Sequence, residues 1–316
     1  MKKKIVFYGN CQFGGLSFAF ENHPLLTPHF EVLKASDYNL PYQQYSAIAN
    51  YQLTNENHTQ RDFERIFEDA DILVFQSLGP APHRPDHVLT ANVVPKFEGE
   101  CVGIPSFWYS GYFHFPYEFP MLDIFYWLHN QGYDDSQALN HLQHESLPFA
   151  QQLHKYYHDE SLQGVRQRTS IDPFEMIDIE NWIDDNHSKK LITYNHSHPS
   201  IHFFEYAIGQ ILLKLQYDIG DVTLSNATLQ HSGPDGFFIP TAFKWFKDLF
   251  PNMEPLTSDI INMYDAWHPY KSNEIEKFVS EGMDTVRSNV QFKQHKSFAA
   301  KENFTEVKQI LGLIND

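Results

Sequence analysis

Between Lys3 and Gly15 the chain reads KKIVFYGNCQFGG: an apolar run at Ile5–Tyr8, then a turn of glycine and polar residues, then LSFAF. The run predicts a short buried strand, and the text after the turn predicts the first helix. Further on, NHTQRDFERIFEDA alternates in a helix-compatible way, and DILVFQSL at Asp71–Leu78 is a second apolar run of strand length. Strand, helix, strand in that order predicts a parallel sheet. A third strand is expected in CVGIPSF at Cys101–Phe107, opening into WYSGYFHFPYEFP, where glycine and proline interrupt a series of aromatic residues and predict a functional loop. Residues 133–185 read as mainly helical, with Pro173 directly after Asp172 as a helix start. LITYN then predicts another strand, HSHPS a polar turn, and Ile201–Leu215 a buried helix. The fold class expected is α/β: a parallel sheet of Rossmann-like or SGNH-like type flanked by helices, one domain over 1–316, with a helical insertion at 133–185 and a C-terminal part, 220–316, that closes in charged, helix-compatible segments.

Composition narrows the class. The 316 residues are 42% hydrophobic, enough for a sizeable core. No stretch approaches the roughly 18 uninterrupted apolar residues of a membrane span, and the basic MKKK runs straight into a strand without a signal-peptide pattern. The expectation is a cytoplasmic protein without an integral membrane segment. Two cysteines, Cys11 and Cys101, make neither a disulfide framework nor a cysteine zinc cluster. A formal net charge of −17 argues against nucleic acid as a partner, because phosphate tracking needs clustered basic surface. It leaves room for a small phosphorylated ligand held by a few local cations and a helix N-terminus. Aromatic residues at 16% and 18 histidines gather in polar, loop-like text, which points to a ligand-facing surface. Nothing in the pattern sets an oligomeric state.

Candidate chemistry sits at the turns. In an open parallel sheet ligands bind beyond the carboxyl ends of the strands, so the residues after IVFYG, DILVFQ and LITYN are expected to converge. These include Cys11, Gln76, and His196 or His198. Gly9 permits a tight turn, while Gly14 and Gly15 permit close approach of a ligand or helix. Cys11 near a helix N-terminus would be favoured as thiolate, and the backbone N–H groups there could hold an oxyanion; the alternative is a small buried thiol in a structural turn. In NHSHPS, an extended chain points His196 and His198 to one side, one as general base and the other orienting. Pro199 and Ser200 lead into the following helix, Ser200 as a cap; incidental histidines in a capping turn are the alternative. A metal site from His196, His198 and His202 with Asp265 or His268 is a further option that spacing does not fix. In DAWHPY, Asp265 and His268 have the spacing that SGNH-type hydrolases use for the acid and base of a triad, which makes them an alternative pair for a Cys11 nucleophile.

Taken in order, YGNCQFGGL, DILVFQ, IPSFWYSGYF, YDDSQAL, MIDIENWIDDN and LITYNHSHPS resemble the WcbI-type polysaccharide biosynthesis enzymes of bacterial capsule clusters. The resemblance spans Lys3 to Leu215. It implies coenzyme A binding and O-acetyl transfer from acetyl-CoA to a hydroxyl of a sugar or polysaccharide acceptor; no metal is expected. Carried over by position, the site residues it implies are Gly9, Asn10, Cys11, Gln12, Gln76, Asn195, His198, Pro199 and Ser200. This chain reads NHSHPS where the family pattern is NHPS; His198, which precedes the proline, is favoured as the base, with His196 beside it. Trp108, Tyr109, Tyr112 and Phe113 are expected to stack on adenine or sugar, and Arg166 and Arg168 to pair with coenzyme A phosphates. Two other readings remain open: an SGNH-like thiol esterase using Cys11 with Asp265 and His268, and a non-catalytic glycan-binding protein.

Overall fold

Ile5, Val6, Phe7 and Tyr8 have no exposed surface in the computed structural model of the chain. They lie in β1 (Lys3–Gly9), a strand buried on both faces as a central parallel strand must be. The structure describes residues 1–42, 47–49, 53, 58–80, 84–112, 121–171, 173–195, 198–224, 243–254, 274–288 and 303–312.

The chain divides into two compact units. The first comprises Met1–Phe107, Gly164–Asn186 and His198–Gly233, and is built on the parallel sheet. Its strand order is β2 (Phe30–Val32), β1, β4 (Ile72–Phe75), β5 (Glu100–Gly103). The two-residue β3 (Ile48–Ala49) pairs with the end of β1 at Tyr8 and Gly9, on the edge that β2 occupies further back at Lys3–Ile5. Every pairing in this sheet is parallel. Alternation along β1 sorts the two faces. Phe7 meets Phe13 and Phe20 of α1 (Cys11–Asn22) edge to face, at ring centroids of 6.2 and 5.5 Å. Val6 and Tyr8 face the other way, into a core shared with Phe63 and Ile66 of α2 (Gln60–Glu68). α2 opens on a capping box between Thr59 and Asp62. A short α3 (Thr90–Val93) precedes β5.

The strand expected in LITYN is shorter than its apolar text implies: β6 covers only Thr193–Asn195, and among the described residues it is not a strand of the parallel sheet. At its start the Ile192 amide donates to the Tyr112 hydroxyl at 3.4 Å, and that hydroxyl donates to the carbonyls of His187 and Lys190, just before the run, at 2.6 and 2.9 Å, so one backbone group of LITYN is held by a side chain. β6 is followed by the two-residue β7 (His198–Pro199).

The second unit comprises Trp108–Gln163, His187–Ser197 and Pro234–Asp316. In chain order the remaining helices are α4 (Leu122–Asn130), α5 (Asp135–His144), α6 (Ala150–Ile171), α7 (Glu180–Asn186), α8 (Ile201–Lys214), α9 (Lys244–Leu249), α10 (Ile275–Ser288) and α11 (Asn303–Ile310). The stretch 133–185 is thus largely helical, in α5, α6 and α7; the helix start expected at Pro173 is not formed, because Met176 is held in a parallel bridge to Gly103 and α7 begins only at Glu180. Within the second unit α10 packs on α4 and α5. Gly282 of α10 lies so close to the Phe125 ring that an added Cβ would stand 2.5 Å from it, so this contact requires glycine.

Candidate functional site

β1 ends at Gly9, and the chain turns through Asn10, whose extended backbone (φ −81°, ψ −165°) places its side chain over the start of α1. Asn10 Oδ1 accepts the Gln12 amide at 2.9 Å, satisfying one of the helix's unpaired N–H groups. Cys11 is therefore the first residue of α1 and is partly exposed. The helix N-terminus carries partial positive charge that favours a thiolate or an oxyanion.

A pair of buried glutamines holds this turn. Gln76 follows β4, which pairs with β1 residue by residue from Ile5↔Ile72 to Tyr8↔Phe75. The parallel register places Gln76 beside the turn. Gln76 Oε1 accepts the Asn10 amide at 3.0 Å and Gln76 Nε2 donates to Gln12 Oε1 at 3.0 Å. Gln12 in turn clasps the backbone of Phe107, donating from Nε2 to its carbonyl at 2.6 Å and accepting its amide at 3.0 Å. Gly9 is required by crowding: an added Cβ would lie 2.6 Å from Phe13 Cγ and 2.9 Å from Gln76 Oε1. Asn10, Gln12 and Gln76 are thus brought together at the ends of β1 and β4.

The His-Pro-Ser turn belongs to the same unit. His198, partly exposed, and Pro199 form β7, and Ser200 is the N-cap of α8 in extended conformation (φ −77°, ψ 173°). The Ser200 carbonyl accepts from Phe203 and Phe204 at 3.1 and 3.3 Å, but its hydroxyl caps nothing. Ser200 is 1% exposed, and its Oγ has no hydrogen-bond partner among the described residues. Such an orphaned buried hydroxyl costs about 1–3 kcal/mol, which a ligand accepting or donating there would recover. α8 packs on α1, and the Phe203 ring lies 4.6 Å from that of Phe107, the residue clasped by Gln12. A chain of contacts thus runs from the Cys11 turn through Phe107 to the first turn of α8.

The remaining candidates fall in several places. The two arginines, both in the part of α6 that belongs to the first unit, differ: exposed Arg166 pairs with Glu180 at 2.5 Å, while Arg168 is partly buried, with Nε and Nη2 making no hydrogen bond among the described residues. Burial pushes the Arg168 pKa down. His202 faces Glu205 at 3.4 Å, and Cys101 lies exposed on β5. Trp108, Tyr109 and Tyr112 belong to the second unit. Tyr109 and Tyr112 are fully buried with their rings 5.1 Å apart, so neither presents a face for stacking. His196, Phe113, Asp265, His268 and the side chain of Asn195 lie outside the described residues. The Gln12–Phe107 clasp was not foreseen; the only sign of it in the sequence is the second amide of GNCQ.

Neither a family model nor a curated protein sequence matches the chain. Among solved structures it is similar to WcbI, described as a novel polysaccharide biosynthesis enzyme, in a native form without a disulfide bond between coenzyme A and one of its cysteines. The two chains are 14% identical, and the similarity covers 99% of each with a TM-score of 0.62. Identity that low leaves the architecture as the common feature: over its whole length, this chain has the fold of WcbI.

Proposed function

We propose that this protein is a polysaccharide biosynthesis enzyme that binds coenzyme A and transfers an acetyl group to a hydroxyl of a sugar or polysaccharide acceptor. The observation that carries the reading is the position of Cys11 as the first residue of α1, on a turn fixed by Asn10, Gln76 and Gln12. The fold shared with WcbI, whose structure is described in terms of coenzyme A and a cysteine, supports it. The residues present suit the group: a partly exposed thiol at a helix N-terminus, an unpaired buried hydroxyl on Ser200, and the unpaired N–H groups of Arg168, which suit a phosphate.

When bound, acetyl-CoA supplies an acyl group activated as a thioester. The chain's own residues do the rest. The α1 N-terminus favours negative charge at the Cys11 turn, and the glutamine pair holds that turn rigid. His198 serves as the base that takes a proton, either from the Cys11 thiol, which then accepts the acyl group as the thioester C–S bond breaks and passes it to the acceptor hydroxyl, or from the acceptor hydroxyl in a direct transfer; in both routes His198 returns the proton to the departing coenzyme A thiolate. Arg168 and Ser200 hold the donor.

Isothermal titration with coenzyme A and acetyl-CoA, followed by intact-mass analysis of wild type and Cys11→Ser, tests this. Binding with an acetyl adduct of about 42 Da that Cys11→Ser abolishes supports the covalent route; binding without an adduct supports direct transfer. Absence of binding overturns the reading. No helix among the described residues is long and apolar enough to cross a membrane.

A further inference from the structure

The second unit holds a group of side chains that the proposed transfer reaction does not use. His154 and His158 stand four residues apart on α6 and so share one face of the helix. His187, just beyond the end of α7, completes the group. One ring nitrogen from each lies within 4.8 Å of the other two. The rings pack on one another, with centroids 4.1 Å apart for His158 and His187, 5.3 Å for His154 and His187, and 5.7 Å for His154 and His158. We propose that His154, His158 and His187 bind a divalent transition metal, zinc first among them, as three imidazole ligands with the fourth position left to water or an exogenous group.

Three features favour a metal over simple packing. First, the donors are three imidazoles with no carboxylate among them, a set that suits zinc and its neighbours rather than magnesium or calcium. Second, two of the rings, those of His154 and His158, are held at Nδ1 by a neighbouring group, as metal-binding histidines are. His154 Nδ1 lies 2.7 Å from the Gly111 carbonyl. A carbonyl only accepts, so Nδ1 carries the proton and the lone pair of the neutral ring is at Nε2. His158 Nδ1 is 3.1 Å from the Tyr109 hydroxyl. Third, His154 and His158 are buried while His187 is partly exposed, which gives an ion a route from solvent. Tetrahedral zinc with bonds of about 2.0–2.1 Å holds its ligand nitrogens about 3.3 Å apart, so the imidazoles need a modest contraction by side-chain rotation. The proposal departs from the sequence-based expectation that metal is absent. It does not depend on the acetyl-transfer reading.

The test uses the full chain, stripped of metal by chelator and titrated with zinc, then with cobalt as a spectroscopic probe. One zinc per chain with a dissociation constant near or below about 1 μM, and strong cobalt absorption bands in the visible from tetrahedral nitrogen coordination, are expected. His187→Gln, at the partly exposed position, should weaken zinc binding about 100-fold and abolish the cobalt bands, with thermal unfolding of the metal-free form unchanged. His154→Gln provides a second variant if His187→Gln fails to fold. Substoichiometric zinc, or binding that persists in a folded His187→Gln or His154→Gln variant and so belongs to other histidines, overturns the proposal. Because the readouts are metal stoichiometry and spectra, their failure leaves the coenzyme A titrations untouched.

Discussion

Gln76 Oε1 accepts the backbone N–H of Asn10 at 3.0 Å, tying the residue before Cys11 to the end of the neighbouring strand. Gln76 is 2% exposed, and its other amide atom is committed to Gln12. Gln76→Ala therefore leaves the Asn10 amide and Gln12 Oε1 each without this partner in a buried setting. The expected loss is about 1–3 kcal/mol, read as a lowered urea midpoint, together with slower acetylation of Cys11 by acetyl-CoA. An unchanged midpoint and rate would show that the glutamine pair does not hold the turn.

Gly9 and Gly79 make a matched comparison. A Cβ at Gly9 meets the buried Phe13 ring at 2.6 Å, whereas one at Gly79 meets nothing within 4 Å. Gly9→Ala should destabilise by about 1–3 kcal/mol, as overpacking of a filled site does, while Gly79→Ala should be neutral or slightly stabilising through the unfolded chain. Denaturant unfolding of both variants checks this, and equal effects would contradict it.

Much of the first unit is legible in the sequence because its central strands are continuous apolar runs. Ile5–Tyr8 and Ile72–Phe75 are buried on both faces, so no other element suits them, and the turn glycine and Asn10 mark where α1 begins. The less legible strands are those whose pairing comes from tertiary context. β2 and β3 have three and two residues and no periodicity of their own. LITYN reads as a strand but forms only β6, and the Ile192 amide at its start is held by Tyr112, 80 positions earlier, a contact that leaves no local pattern. At the site, Cys11, Gln76 and Ser200 are visible as motif residues. The clasp of Gln12 on Phe107 is not, because a contact across 95 positions leaves no local pattern.

The two arginines separate a surface ion pair from an unpaired guanidinium. Arg166 is exposed and engaged by Glu180, and such a pair contributes little. Arg168 has two buried guanidinium nitrogens, Nε and Nη2, without partners among the described residues. Arg168→Gln should weaken coenzyme A binding by about tenfold or more, the size of a lost charge-assisted hydrogen bond, and Arg166→Gln by less than about twofold. Titration calorimetry on both variants decides it; the reverse order would move the phosphate contact away from Arg168.

Asp123 gives the second unit a pH dependence of definite sign. It is buried, with the Tyr157 hydroxyl donating to Oδ2 and no partner on Oδ1 among the described residues. Burial pushes its carboxyl up to about 6, against the opposing effect of the Tyr157 hydrogen bond. In the unfolded chain the group ionises near its usual value of about 3.9. The folded form therefore holds the proton more tightly, and the stability this contributes is full below about pH 4 and lost as pH rises to about 6, by roughly 2–3 kcal/mol in all. Asp123→Asn keeps the acceptor for Tyr157 and removes the titration. The stability difference between wild type and variant should shift in the variant's favour by that amount between pH 4 and pH 7.5, measured by urea unfolding. A difference independent of pH would mean that Asp123 is already ionised in the fold.

Ser200 separates a ligand-binding role from a structural one most cleanly. Its hydroxyl sits at an N-cap position, where serine is normally favoured because Oγ accepts a helix amide, yet here Oγ makes no such bond and is sealed from water. A capping serine replaced by alanine costs about 0.5–2 kcal/mol. Removing an unsatisfied hydroxyl instead relieves a desolvation penalty, so Ser200→Ala should leave the unfolding midpoint unchanged or raise it. If the hydroxyl is reserved for a ligand, the same substitution should weaken coenzyme A or acetyl-CoA binding by about five- to tenfold, the size of one hydrogen bond. Stability retained with affinity lost is a combination that a purely structural serine does not produce. Loss of stability would assign Ser200 to capping α8, and retention of both stability and affinity would remove it from the donor site.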